Sequence, residues 1–290
     1  MPQLLRHLRN KLCMLVLVVL AGGIFCATLV RLAPGFGTDE RELDSHLSAE
    51  SIQAIRQSHA GQQSVEKFYL GYVGDMLRGR FGVSQTFQRP ISELLRERCG
   101  VSLRSLSWAM PATWLVVLTT ALTVTGIRNR APDFGSAVIV GGLMAMPAAM
   151  VALWAASTGH GTVIALVVIL APTLYRYTRN ILERSFRKSH VMAARARGIG
   201  PVRVVLWHVL PIAAPQILGL VAVSISMAFG ALIPVEFICD SPGIGQLALQ
   251  AALGRDLPLL ITLTMLVTVI TFLVNMSAEV VNDAMTPVSA

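Results

Sequence analysis

The chain has 290 residues, of which 54% are hydrophobic and only 14% charged, with a formal net charge of +8. Ordinary soluble proteins carry roughly 25% charged residues, so this composition and a mean hydropathy of +0.63 place most of the chain in lipid. Four cysteines in this length exclude a disulfide scaffold, and the apolar content excludes disorder.

A helix crossing the hydrocarbon core needs about 20 mostly apolar residues. The first such stretch is Leu12–Val30, which carries no charge. Arg6, Arg9 and Lys11 ahead of it also fit a secretory signal, but the run exceeds the apolar core of such signals, roughly 7–15 residues. It is read as an uncleaved anchor. Residues 33–104 are too polar to span. Within them Val65, Phe68, Tyr69, Tyr72, Val73, Met76 and Leu77 fall on a single helix face. Ile91, Leu94 and Leu95 repeat the pattern after Pro90, which suits a first helical turn. Helices of this kind lie on the membrane surface or pack against neighbouring spans.

Further spans are predicted at Ser105–Ile127, Ser136–Ala156, Val209–Val235 and Leu257–Ala278. Thr162–Tyr175 is short, and reaches full length only by running through Arg176 and Arg179 with their side chains snorkelling toward the headgroups. The reading is an all-α integral membrane protein of about six transmembrane helices. It divides into an N-terminal tail with the first span (1–32), an outer segment (33–104) and a five-helix core (105–290) with a basic loop at about 181–208.

Charge sets the orientation. The N-terminal tail, the loop with Arg128 and Arg130, and the segment from Arg176 to Arg203 hold thirteen basic residues against Asp133 and Glu183. With six spans all three fall on one side, which makes that side and both termini cytoplasmic. The basic excess needs no nucleic-acid partner. Cys13 and Cys26 read as buried apolar thiols, while Cys99 and Cys239 would share the oxidising side, where a bridge between them is an open alternative.

The missing chemistry is equally informative. There is no G-x-x-x-x-G-K-[ST] phosphate loop, no H-E-x-x-H, no G-x-S-x-G, and no metal-ligand spacing among the six histidines. Apart from Arg176 the spans lack interior ionisable groups, which ion-coupled carriers place near the midplane. A passive pathway driven by a partner fits best. A secondary transporter and a non-transporting scaffold or sensor are the alternatives.

Ser189–Pro201 reads as a short helix ended by Gly198 in the left-handed conformation, then a second helix begun by Pro201 and running toward Pro211. Its small alanines would let another protein approach closely. Ala193, Ala194, Gly198, His208, Leu210 and Pro211 here resemble the coupling loop of the peptide-type permeases of ABC importers, and Ala194-Arg195-Ala196-Arg197-Gly198 is similar to the dipeptide and oligopeptide version. Met192 stands where many such permeases have glutamate. Arg31-Leu32-Ala33-Pro34-Gly35, Gly79–Ser84 and Arg89-Pro90-Ile91 resemble further family elements, with Arg80 in place of an acid. So do Glu236, Pro242, Gly243, Gly245, Arg255, Asp256 and Pro258. By their own chemistry Pro242–Gly245 reads as a turn, and Arg255 and Asp256 as solvated loop charges. The Ser157–Gly161 hairpin is shorter than the family's outer excursion.

The resemblance implies a type I, MetI-like permease of a dipeptide, oligopeptide or nickel importer in the bacterial inner membrane. It also implies a second permease chain or a copy of this one, two ATP-binding subunits and an extracytoplasmic solute-binding protein. ATP and magnesium would be used by those ATP-binding subunits, with no cofactor or metal held by this chain.

Overall fold

The computed structural model describes residues 78–127 and 130–285, with Tyr72, Gly74, Asp75, Met76 and scattered positions between 14 and 28. Those scattered positions are helical. The ends of the first span, Cys13, Cys26, the Arg31–Gly35 motif, Arg128 and most of the 65–77 stripe lie outside the described residues.

The described chain is almost wholly helical, its one strand-like pairing an isolated bridge between Val83 and Pro90. The helices are α1 (Ile91–Ile127), α2 (Arg130–Ala145), α3 (Ala148–Ala156), α4 (Gly161–Phe186), α5 (Ser189–Ala196), α6 (Pro201–Ile238), α7 (Ile244–Leu253) and α8 (Leu257–Met285). Of these α1, α4, α6 and α8 are each long and apolar enough to cross a membrane, and α2 with α3 makes a fifth candidate.

Two of the expected spans differ from the sequence expectation. The surface helix expected after Pro90 and the span expected from Ser105 are one helix of 37 residues, so residue 104 is no boundary. Its threonines keep their hydroxyls satisfied within the helix, as in Thr113 Oγ1 to Ala109 O at 2.7 Å and Thr120 Oγ1 to Val116 O at 2.6 Å. The fourth span does run through Arg176 and Arg179, ending at Phe186.

The expected continuous span Ser136–Ala156 is instead broken. It forms α2 and α3, which meet at 89°. Pro147 is the cause. Its ring disfavours the helical conformation at Met146, and Pro147 itself is extended, with ψ 135°, before α3 begins.

The contacts divide the chain into two compact units, residues 1–97 with 247–270, and residues 98–246 with 271–290. In the second, one apolar core gathers Val117 and Ala121 of α1, Leu170, Leu174 and Leu182 of α4, Val191 and Ala194 of α5, and Val204, Val209, Ala213 and Ala228 of α6. Another gathers Ala109, Ala152, Ala155, Ala165, Leu166, Leu232 and Val235. Alanines dominate it because helices in lipid gain from close backbone approach rather than from expelling water. Large apolar side chains on the outside, including Trp108, Phe134, Leu153 and Trp154, suit a hydrocarbon environment.

Candidate functional site

The 189–211 segment carries the strongest motif. α5 seats one face in the bundle through Val191 and Ala194, both buried. Its other face, with Met192, Ala193, Ala196 and Arg197, is exposed. Ala194 is therefore part of the seat, and the close-approach surface belongs to Ala193 and Ala196. Arg195 lies over the Phe186 ring, 5.0 Å from its centroid, which ties α5 to the end of α4.

Gly198 has a φ of +78°. The Gly198 N–H bonds Arg195 O at 2.9 Å and the Ile199 N–H bonds Ala194 O at 3.3 Å, the paired bonds of a Schellman cap. Ile199 then packs onto the core that holds Val191 and Ala194. A side chain on Gly198 would meet nothing within 4 Å, so the backbone conformation alone demands glycine there.

α6 does not stop at Pro211. Residues Val205–Val209 form a π turn, closed by the Leu210 N–H on Val205 O, and the helix continues from Leu210. A proline inside a helix lacks a donor and its ring crowds the carbonyl four residues before it, which here belongs to Trp207. The wider turn relieves that conflict. His208 and Leu210 are half-buried and Pro211 exposed, while Val202, Leu206 and Trp207 project outward.

The second motif resolves into two buried carboxylates, one in each unit. Glu236, in the last turn of α6, is fully buried. One of its oxygens accepts from Ser102 Oγ at 2.6 Å; the other accepts from the Gly245 N–H at 2.7 Å and the Gln246 N–H at 3.4 Å. Ser102 Oγ in turn accepts from the Ile244 N–H at 2.7 Å. The carboxylate and serine thus satisfy amides that open α7, donors a helix start cannot bond internally.

Both motif glycines follow from this closeness. A Cβ on Gly243 would collide with the Glu236 carboxylate, and one on Gly245 would sit 2.5 Å from Leu232 O and 2.6 Å from its carbonyl carbon. Pro242–Gly245 is more than a turn, because it is the approach that delivers three amides to buried acceptors. Arg98 extends the arrangement by donating to Gln246 Oε1 at 3.2 Å, and Gln246 Nε2 donates to Asp240 Oδ1 at 3.1 Å.

Gly245→Ala should cost about 1–3 kcal/mol, because the obstructing atoms are backbone and cannot swing aside. Gly219→Ala, with nothing within 4 Å, should leave thermal stability unchanged or slightly raised. Melting of the detergent-solubilised variants checks the pair.

Asp256 departs furthest from expectation: it is fully buried, not a solvated loop charge. Its Oδ1 accepts from the Leu259 N–H at 3.2 Å, the N-cap bond of α8. Its Oδ2 accepts from Ser84 Oγ and from the Thr86 N–H at 3.0 Å. The 79–90 loop is fastened by these bonds and by Ser84 N–H to Arg89 O and Ile91 N–H to Gly82 O. The Tyr72 hydroxyl lies 2.8 Å from Phe81 O, 2.9 Å from Pro258 O and 2.5 Å from Thr262 Oγ1. Burial pushes its pKa up to about 12, so it stays a proton donor at any physiological pH.

Arg255 is exposed, with a φ of +53°, and Asp240 has a φ of +47°. Each follows a helix end in a Schellman arrangement: Ser241 N–H to Glu236 O at 2.8 Å, and Asp256 N–H to Ala251 O at 2.9 Å. Non-glycine residues here carry strain of roughly 1–2 kcal/mol. Cys99 and Cys239 are both free thiols, with Cys239 Sγ directed at Ala152 O, 3.6 Å away, so the bridge left open by the sequence is not made. Among the described residues no group of histidines, cysteines and carboxylates is arranged to hold a metal ion.

A family model described as binding-protein-dependent transport system inner membrane component matches residues 96–287. The chain is 24% identical to a protein of Brucella ovis named as a peptide permease, the match covering 98% of each chain. It is likewise 24% identical to a glutathione transport system permease protein of Salmonella typhimurium, again over 98% of each. Helices of membrane-spanning length, an all-α MetI-like architecture and a family match across most of the chain make this a multi-pass inner-membrane protein that belongs to the family of binding-protein-dependent transport system inner membrane components, the permease subunits of ABC importers.

Proposed function

We propose that this chain forms half of the solute pathway of a peptide-type importer and receives its energy through the 189–211 segment. The second half comes from another permease chain or a copy of this one. Two ATP-binding subunits dock on the cytoplasmic side, and a solute-binding protein delivers cargo outside. Peptides or related small solutes are the cargo class, supported by the naming of the relatives for peptide and glutathione transport.

The observation that carries the reading is the split character of α5. Val191 and Ala194 are buried in the bundle, while Met192, Ala193 and Ala196 face outward, with exposed Val202, Leu206 and Trp207 following. A helix seated on one side and open on the other suits a lever: a partner's movement there becomes a rigid-body movement of the spans. Closure of the ATPase dimer on ATP would switch the scaffold between inward- and outward-facing states, with hydrolysis resetting it. No covalent chemistry falls to this chain, which lacks a phosphate loop.

The orientation comes from the basic excess in the tail, the Arg128 loop and the 176–203 segment. A cysteine introduced at exposed Ser189 should resist an impermeant thiol reagent in intact cells, and one at exposed Gln85 should react. The purified chain should show no ATPase activity, and should capture an ATP-binding subunit when the two are co-expressed. Reversed labelling, or uptake driven by an ion gradient without any ATPase, would sink the reading.

A further inference from the structure

The exposed residues of α4 are Arg176, Tyr177, Asn180 and Arg184, and no residue before Arg176 is exposed. They fall at i, i+1, i+4 and i+8, on one face of the helix. None of them is aliphatic. Every other candidate span exposes large aliphatic side chains, among them Leu115 of α1, Ile139 of α2, Val223 of α6 and Leu273 of α8. Such side chains suit lipid tails, whereas an arginine among the tails is expensive. The exposed face of α4 therefore meets water or headgroups rather than hydrocarbon.

Its place along the helix axis decides between them. At 1.5 Å per residue, Arg176 lies about 23 Å from Gly161, Asn180 about 29 Å and Arg184 about 35 Å. The hydrocarbon core is about 30 Å thick. A helix that enters it at Gly161 brings Asn180 to the far boundary, with Arg176 one turn inside and Arg184 one turn outside. Tyr177 falls in the same zone, where a ring with a polar tip is at home.

The two arginines on this face also lack an acid. Arg179, expected to snorkel, pairs instead with Asp133 of α2 at 2.5 Å, and Arg187 pairs with Glu183 at 2.6 Å. Neither Arg176 nor Arg184 has an ion-pair partner among the described residues. The Arg176 guanidinium lies 5.7 Å from the centre of the Tyr177 ring, a contact that uses none of its five N–H donors. Asn180 stands four residues from each arginine, so a group held at its level is within one turn of both.

We propose that Arg176, Asn180 and Arg184 form a headgroup site for an anionic phospholipid. The lipid phosphate accepts from the two guanidiniums, whose planar forks match its oxygens, and from the Asn180 amide. Two uncompensated positive charges select a net-negative headgroup over one that carries an ammonium. The site requires only that α4 crosses the bilayer, so it stands or falls apart from the importer reading.

The test uses the full-length chain purified in a mild nonionic detergent. Added phosphatidylglycerol should remain bound in native mass spectra and raise the melting temperature, and phosphatidylcholine at the same concentration should do neither. Arg176→Gln with Arg184→Gln should weaken phosphatidylglycerol retention by about tenfold or more. Arg197→Gln with Arg203→Gln removes the same charge from exposed positions in the following segment and should leave retention unchanged. If the first pair does not accumulate, Arg184→Gln alone, outside the hydrocarbon, carries the comparison with a loss of about fivefold. Equal retention by the unaltered chain and the Arg176 and Arg184 variants, or an equal loss in the control pair, overturns the site. Inorganic phosphate that raises melting as much as the lipid does would show a free-anion site and overturn the lipid assignment. Displacement of the bound lipid when an ATP-binding subunit assembles with the chain would give this face to that partner, and overturns the assignment as well.

Discussion

Glu236→Ala should reduce membrane abundance severely and lower the melting temperature of whatever accumulates. The substitution leaves the hydroxyl of Ser102 and the amides of Gly245 and Gln246 without their acceptor in a buried place. Each such donor costs about 1–3 kcal/mol, and together they consume much of a stability margin of roughly 5–15 kcal/mol. Glu236→Gln should fall between. Its carbonyl oxygen can still take the two amides, and its NH2 can donate to Ser102 Oγ, but the serine proton then has nowhere to go. Abundance by immunoblot and melting in detergent should rank the three chains unaltered, Gln, Ala. Equal abundance and melting for Ala and the unaltered chain would show that the carboxylate supports nothing.

Gly198→Val should produce the opposite phenotype, normal abundance with impaired coupling. The φ of +78° strains any side chain, by roughly 1–2 kcal/mol for ordinary residues and more for a β-branched one. The space around it is open, so nothing in the bundle is displaced and insertion survives. The strain falls on the cap that fixes the end of α5, and on the surface where an ATPase would dock. Co-purification of the ATPase should weaken, or hydrolysis should continue without transport. Gly198→Asn should be milder, because asparagine tolerates the left-handed region. Gly219→Val in α6 is the control, with space equally open around it. Coupled hydrolysis at the normal rate in Gly198→Val would mean that the segment is a plain connector.

These two variants also separate what a sequence discloses from what it conceals. Gly198 was legible because a cap is a local event: helix formers, one glycine and a proline three residues on contain all its physics. The span through Arg176 and Arg179 was legible because the length needed to cross the membrane is counted along one helix, although the pairing of Arg179 with Asp133 of α2 was not. The break at Pro147 left a signal in the Met146-Pro147 pair, but an apolar run on both sides masks it when hydropathy alone is counted. Asp256 and Glu236 were the hardest. Their burial depends on Ser84 and Ser102, more than a hundred positions away, and no periodicity reports a partner at that distance. Read singly, a carboxylate beside an arginine in a loop looks solvated. Only the family resemblance marked these residues, and it gave their places without their hydrogen bonds.

The π turn at Val205–Val209 has a consequence for how α6 tolerates change in length. In an uninterrupted α-helix the loss of one residue rotates everything beyond it by about 100°, which here would carry Ala213, Ala222, Ala228, Leu232 and Val235 off the faces they occupy. A π turn already holds one residue more than its α counterpart, so a deletion inside 205–209 can be absorbed by tightening that turn, leaving both flanking faces in phase. The same deletion near Gly219 has no such slack to draw on. The helix that follows α5 and ends at the buried Glu236 thus contains a built-in expansion joint, placed just before the proline that made it necessary.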